Sequence, residues 1–496
     1  MLAVILVFLV AYAFYQYSVW TFDYWKKRKV PHPPPVPLFG NIKDVVLMKQ
    51  YPGHCHQQIY KMYPNEKFVG LYQLRMPSLL IRDPALVKQC LIKDFDHFFD
   101  RGFHTDEERE PLTGHLVSLT GTRWKLLRTK LTPVFSSGKI KQMFPLLLDC
   151  SNQLRDFIKT QMEGKEGVLE MREVTARFTT DVIGTVAFGL QFESMSGDSI
   201  FRQMGKRALQ PTVAGALAKA MRCFTPKLFD LLKMRTLPEE INSFFTNVVS
   251  ETMKQRTESN YGRNDFLQLM MQLRDNSGAH IAKNDIELND KVIAAQAFVF
   301  FLAGFETSST TLSYCLYELA KNQQCQEAVY NEIQEVLRKH GELSYEAISD
   351  MTYLEQVLLE TMRLYPPVGN LCRVCTKPYR IPGTDIELDE GVSLVIPVFA
   401  LHHDPELFPD PESFIPERFS DKELQKAPYY LPFGGGPRIC IGQRFAMIEM
   451  KLALLRLLEN YTVSLSSKTP SELPVEPKSF IMAPIGGIWL RLNARS

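Results

Sequence analysis

The segment that most constrains this chain is LPFGGGPRICIGQRFA at 431–446. Phe433, Gly434, Gly435, Gly436, Pro437 and Arg438 read as a rigid, glycine-dense turn that delivers one thiol, Cys440, just ahead of a helical run beginning near Ile441 or Gly442. Three consecutive glycines let the backbone approach a flat partner closely, and the amides around Cys440, with the positive end of the following helix, favour a thiolate. A thiolate facing something flat suggests haem iron. Two other readings share these residues. A Gly-rich loop ahead of a helix also cradles phosphate, although no Gly-Lys-Ser/Thr follows here. A lone cysteine is also commonly an inert core residue.

At the other end, residues 1–22 (MLAVILVFLVAYAFYQYSVWTF) carry no charge. As a helix they would run ~33 Å, enough to cross a bilayer core. The basic cluster Lys26-Lys27-Arg28-Lys29 follows the apolar run, whereas a cleaved signal peptide has its basic residues first. A signal anchor over 1–25 is therefore expected, single-pass, with the rest of the chain held in the cytosol by the positive-inside rule. Trp20, Tyr24 and Trp25 suit the membrane interface. The Pro-rich stretch PHPPPVPLFG at 31–40 excludes helix, so 26–42 reads as a stiff linker and 43–496 as one catalytic domain.

Composition limits the remaining choices. A chain of 496 residues with 45% hydrophobic and 23% charged residues can bury a large core without disulfide staples. Fifty-seven basic against 55 acidic residues, a net charge of +2, is too balanced for a nucleic-acid binder. Nine cysteines, irregularly spaced, argue against a secreted disulfide framework. Cys372-x-x-Cys375 lacks the second pair that a zinc site needs.

Helical periodicity is strongest around 84–92, 123–135, 141–163, 173–188, 239–256, 290–317, 323–338 and 353–364, and strand-like runs occur at 67–73, 78–82, 393–397 and 486–492. The fold class expected is mainly α with a minor β part. The mixed apolar and basic stretch 217–238 suits either a membrane-lying segment or a packed helix pair. His402-His403 and His54-x-His56 have no partner at a helical metal-ligand spacing and read as surface or strand-end histidines.

The string Phe433-x-x-Gly436-x-Arg438-x-Cys440-x-Gly442 resembles the haem-binding signature of cytochromes P-450, the haem-thiolate monooxygenases. Four further segments stand in that family's order along the chain: Trp124-Lys125-Leu126-Leu127-Arg128, Ala303-Gly304-Phe305-Glu306-Thr307, Glu360-Thr361-Met362-Arg363 and Pro416-Glu417-Arg418-Phe419. The resemblance implies the P-450 fold, a helix-rich haem domain with small β-sheets behind one transmembrane helix. It makes Cys440 the axial ligand of haem b, and Trp124, Arg128, Arg373, Arg438 and Arg101 its propionate contacts, with Phe433 in the haem loop. It makes Glu306 and Thr307 the proton-handling pair. Glu360, Arg363 and Arg418 become a buried structural network, for which the three-residue spacing of Glu360 and Arg363 on one helix face is suitable. On residue chemistry alone, a Thr307 hydroxyl can bond the carbonyl of Ala303, and beside Gly304 this opens a gap in a helix.

A thiolate ligand favours O–O cleavage over reversible oxygen carriage. The implied reaction inserts one atom of O2 into a lipophilic substrate. No GxGxxG nucleotide fold is visible in the sequence, so electrons come from outside. By resemblance the donor is NADPH–cytochrome P-450 reductase in the endoplasmic reticulum membrane, with cytochrome b5 as an accessory. Arg123, Lys125, Lys130, Lys139, Lys141 and Arg444 offer an acidic donor a basic face, or are simply solvated. Family substrate-contact regions supply Phe103, Phe298, Phe301, Phe305, Val368 and Ile481, which suit an apolar guest. The stretch from 101 to 145 is similar to insect microsomal members that metabolise xenobiotics such as plant toxins and insecticides. A hormone or pheromone precursor as substrate, a haem-thiolate isomerase needing no reductant, and a non-catalytic haem sensor are the competing readings.

Overall fold

The computed structural model describes every residue except 164–166, 196, 198, 210–214, 216–217, 219–220, 223–224, 260–261, 278–285, 471 and 496. The amino-terminal helix α1 (Leu2–Val19) precedes the helices that build the site: α2 (Gly121–Leu131), α3 (Ser137–Met162), α4 (Met171–Ile183), α5 (Asp290–Lys321), α6 (Thr352–Leu364) and α7 (Gln443–Leu458). The strands are β1 (Phe68–Gln73), β2 (Met76–Ile81), β3 (Val168–Glu170), β4 (Leu371–Val374), β5 (Ser393–Ile396), β6 (Tyr461–Leu465) and β7 (Trp489–Ala494).

The 32 residues of α5 form the axis of the molecule. Its sequence is apolar on nearly every side, as a helix surrounded by protein must be. The Asn289 side chain caps its start by accepting from the Val292 amide at 3.0 Å. Helix α4 crosses α5 closely because residue 304 is glycine. A Cβ there would lie 2.4 Å from Ile183 Cδ1. The hydroxyls of Thr175 and Thr179 on α4 donate to the Ser309 and Phe305 carbonyls of α5 at 3.0 and 2.8 Å. Helices α3, α6 and α7 complete one large core around this pair.

A second, smaller core lies under a four-stranded sheet of order β1-β2-β5-β4. β2 runs parallel to β5, with Ser78 opposite Ser393, and β4 runs antiparallel to β5, with Leu371 opposite Ile396. Strands β3, β7 and β6 form an antiparallel sheet that ties the chain's end to the base of α4.

The amino-terminal region departs from expectation in two places. Helix α1 is apolar and exposed up to Tyr17, as a span would be, but Trp25 does not sit at a membrane interface. It is fully buried in the second core. Its indole donates to the Leu71 carbonyl at 2.9 Å, and the missing Cβ of Gly70 leaves room for the ring. The Pro-rich stretch is no free spacer either. The Pro31 carbonyl accepts from the Gly70 amide at 2.8 Å, and Asn41 donates to the Pro33 and Pro34 carbonyls. Prolines lacking an amide still offer carbonyls to a sheet edge, and here the edge takes them. Of the 217–238 stretch, residues 217, 219–220 and 223–224 lie outside the described residues. The part that is described includes a short helix, Pro226–Leu231, with Leu228 and Leu231 exposed and Phe229 buried.

Candidate active site

The loop from Leu431 to Gly442 is held by its own backbone. The Gly434 amide donates to the Leu431 carbonyl at 3.0 Å and the Cys440 amide to the Phe433 carbonyl at 2.9 Å. Gly434 and Gly436 have φ of 76° and 69°, which disfavours any side chain, and a Cβ on Gly436 would fall 1.9 Å from the Leu91 carbonyl. This geometry aims Cys440 into a cavity of about 1400 Å³. Ala303, Gly304, Phe305, Glu306 and Thr307 of α5 line the same cavity. The thiol opens onto that interior space and not onto the outer surface. Burial lifts its pKa above the ordinary value, against the opposing pull of the Gly442 amide and the Arg128 and Arg101 guanidinia. A metal cation bonded at sulfur reverses such a balance outright.

One side of the cavity carries a concentration of positive charge: Arg101, Arg128, Arg373 and Arg438 all line it, with Trp124 among them. The Arg438 guanidinium lies 4.1 Å over the Trp124 ring. It also donates to the Phe99 and Leu119 carbonyls at 2.6 and 2.8 Å. Arg101 donates to the Arg438 and Val117 carbonyls, and Arg373 to that of Cys372. Among the described residues the one carboxylate within ion-pair reach of these four is Asp100, 3.4 Å from Arg438. The Nε of Arg373 is buried without a hydrogen-bond partner among the described residues. Burial, reinforced by mutual repulsion, brings Arg101 down to about 10 and Arg373 and Arg438 to about 9. Such a cluster calls for anions, and guanidinium forks suit carboxylates. A soft sulfur ligand on one wall and excess cationic charge on another fit a haem with its two propionates.

On α5, Thr307 Oγ1 donates to the Ala303 carbonyl at 2.5 Å, as its spacing suggests. Glu306 is not free to reach solvent alone. It pairs with Arg172 of α4 at 2.5 Å. Phe103, Phe305, Val368 and Ile481 line the cavity, but Phe298 and Phe301 do not. Those two pack on Phe245, at ring distances of 5.0 and 5.3 Å, and belong to the core. Phe298 and Phe301, three residues apart, share a face of α5 that packs on Phe245, while Ala303, Gly304 and Thr307 meet the cavity from another. Phe300, on another face, lines it instead.

Glu360 and Arg363 are completely buried and bonded twice, at 2.7 and 2.9 Å, while Arg418 Nε stands 3.4 Å from the same carboxylate. Arg363 also donates to the His402, Pro411 and Ser413 carbonyls, and Glu360 accepts from the Ile415 amide. His56, His402 and His403 are buried, which corrects their reading as surface or strand-end residues; His54 is half-buried. Of the CxxC pair, the Cys375 thiol donates to the Lys377 carbonyl and Cys372 lines the cavity. Of the basic face, Arg123 pairs with Glu107 at 2.5 Å and Lys141 pairs with Glu346, while Lys125 and Arg444 are exposed.

Two residues of this region, Arg172 and Glu449, carry no site signature in the sequence analysis above. Glu449 leaves the plainer trace, a charge inside the apolar run MIEMKLALL. It lines the cavity, is fully buried, and neither carboxyl oxygen has a partner of ordinary hydrogen-bond geometry among the described residues. Burial raises its pKa to about 8, against a smaller opposing pull from the Ser308 hydroxyl. Between the ordinary carboxylate range and pH 8 the unfolded chain therefore holds fewer protons than the folded one, and stability falls as pH rises. Glu449→Gln is expected to stabilise the protein by about 1–3 kcal/mol at pH 9 and by nearly nothing at pH 5. Thermal unfolding at both pH values checks this.

The family model for cytochrome P450 matches residues 30–491. The chain belongs to the cytochrome P450 family. It is 42% identical over 493 residues to probable cytochrome P450 6a14 of Drosophila melanogaster, with 97% of each chain covered. It is 40% identical to cytochrome P450 6a2 of the same fly, over 98% of this chain and 97% of the relative. To cytochrome P450 6A1 of Musca domestica it is 38% identical, over 96% and 94%. This P450 is a haem-dependent monooxygenase, an oxidoreductase whose electrons derive from NADPH through a reductase.

Proposed function

We propose that this P450 is anchored in the endoplasmic reticulum membrane by α1, with its catalytic body in the cytosol. It takes electrons from NADPH–cytochrome P-450 reductase, with cytochrome b5 as an accessory, and oxidises lipophilic xenobiotics. The observation that carries this reading is the single cavity that brings the Cys440 thiol, four guanidinia and the Gly304–Thr307 segment of α5 together. In this reading Cys440 binds the haem iron, while Trp124, Arg128, Arg373, Arg438 and Arg101 hold the propionates. Haem so bound supplies the activation of O2, and the thiolate favours O–O cleavage.

The chain's own residues do the rest. Thr307 directs its hydroxyl hydrogen to the Ala303 carbonyl, so its oxygen lone pairs face the cavity and orient a proton donor there. Glu306 holds a proton-exchanging carboxylate at the α4–α5 contact, and Arg172 sets its direction. Phe103, Phe305, Val368 and Ile481 supply apolar contacts that exclude water and favour a hydrophobic guest.

The full chain, loaded with haem in lipid vesicles together with the reductase and NADPH, is expected to place one atom of isotopically labelled dioxygen into lipophilic substrates of a toxin and insecticide panel. Product formed without reductant would identify an isomerase instead. Turnover confined to hormone or pheromone precursors would overturn the xenobiotic role, and no turnover on any panel would leave a haem sensor.

A further inference from the structure

The geometry points to His402 as a positioning residue that couples the buried Glu360–Arg363 pair to the loop carrying Cys440. This rests on Cys440 being the haem ligand. His402 is fully buried, and its two ring nitrogens serve opposite purposes. Nδ1 lies 3.2 Å from the Arg363 carbonyl, which can only accept, and Nε2 lies 2.9 Å from the Leu431 amide, which can only donate. These partners allow one tautomer: neutral imidazole with its hydrogen on Nδ1. Burial and the neighbouring His403 and Arg363 also hold the ring well below the ordinary histidine range.

The contacts around the ring leave it little freedom. Its own carbonyl accepts from Arg363 Nη1 at 2.9 Å, so residues 363 and 402 are tied in both directions. Tyr430 stacks on the ring at 5.3 Å and anchors its hydroxyl on the Leu359 carbonyl of α6 at 2.8 Å. From Leu431 the path continues through backbone alone. The Leu431 carbonyl receives the Gly434 amide, and the Phe433 carbonyl receives the Cys440 amide. A rigid ion pair on α6 is thus joined to the sulfur-bearing turn through one imidazole acceptor, as a group behind a metal ligand fixes that ligand's direction.

The two nitrogens can be tested separately. His402→Gln places an oxygen near Nε2 and keeps an acceptor for the Leu431 amide. His402→Asn keeps a donor near Nδ1 but does not reach Leu431, and His402→Leu keeps neither. With each full-length variant loaded with haem, the reading is the fraction of bound haem that gives a thiolate-type carbon monoxide difference spectrum, alongside thermal unfolding. The expectation is that Gln retains the unsubstituted protein's fraction, while Asn and Leu lose about half of it or more, independently of how far each lowers the unfolding midpoint.

Equal fractions in Asn and Gln would overturn the proposal, because the ring would then only fill space. If the unsubstituted protein itself gives no thiolate-type spectrum, the ligand assignment fails instead. Isotope-edited NMR of the histidine nitrogens in the unsubstituted holoprotein reads the tautomer without any variant. A hydrogen on Nε2, or an imidazolium, would also overturn the proposal.

Discussion

Cys440→Ser is expected to abolish the thiolate-type carbon monoxide difference spectrum while leaving part of the haem bound. The two outcomes separate because, in the proposed reading, different residues would hold the group's two ends. The sulfur stands on the loop ahead of α7, whereas Arg101, Arg128, Arg373 and Arg438 come from the 101–117 segment, α2, β4 and the turn before Cys440. Removing the sulfur leaves the guanidinium cluster with its need for anions. Monooxygenase turnover should fall at least about a hundredfold, since losing even a supporting partner of a metal ligand commonly costs 10–100-fold. Haem content by pyridine haemochrome, the carbon monoxide spectrum and turnover of the same preparation check all three statements. A thiolate-type spectrum in the serine variant would mean that another cysteine is the ligand.

Glu360→Gln is expected to have the largest effect on folding. The substitution is nearly isosteric, yet it leaves the Arg363 guanidinium at 0% exposure without its carboxylate. Breaking one arm of a buried pair in this way costs about 3–5 kcal/mol, a large share of the roughly 5–15 kcal/mol that holds a typical protein folded. Arg363 would keep its three carbonyl acceptors, which offset only part of a full charge. Arg418 is the weaker arm. Its Nε stands 3.4 Å away and the side chain is 11% exposed, so Arg418→Gln should cost less than Glu360→Gln. Expression yield, haem content and thermal unfolding compared across the two variants test that order.

The features legible in sequence are those in which chemistry and spacing coincide. The 431–446 turn announces itself through glycines that cannot be replaced at positive φ, and its cysteine ends in the cavity wall. Helix α5 was readable because a long apolar run leaves few other structures. Strand β4 (Leu371–Val374) was not, since four residues of mixed polarity carry no period, and its place beside β5 depends on pairing across the fold.

The misreadings share one cause: burial is decided by partners distant in sequence. Trp25 is amphipathic and follows an apolar helix, which suits an interface, yet Gly70 opens a slot for it 45 residues later. Phe298 and Phe301 are as apolar as a pocket wall requires, and only the position of Phe245 directs them into the core. Paired histidines at 402 and 403 look solvent-facing until the Arg363 carbonyl and the Leu431 amide are brought to either side of one ring. Arg172, 134 residues before Glu306, was beyond any local pattern.

The central proposal is that haem would be bound through the Cys440 sulfur. Electron paramagnetic resonance of the full-length, haem-loaded ferric protein tests it most directly, with the serine variant as control. A low-spin thiolate signal that disappears in the variant is expected; an imidazole-type signal, or a thiolate signal that persists without Cys440, would contradict that ligand.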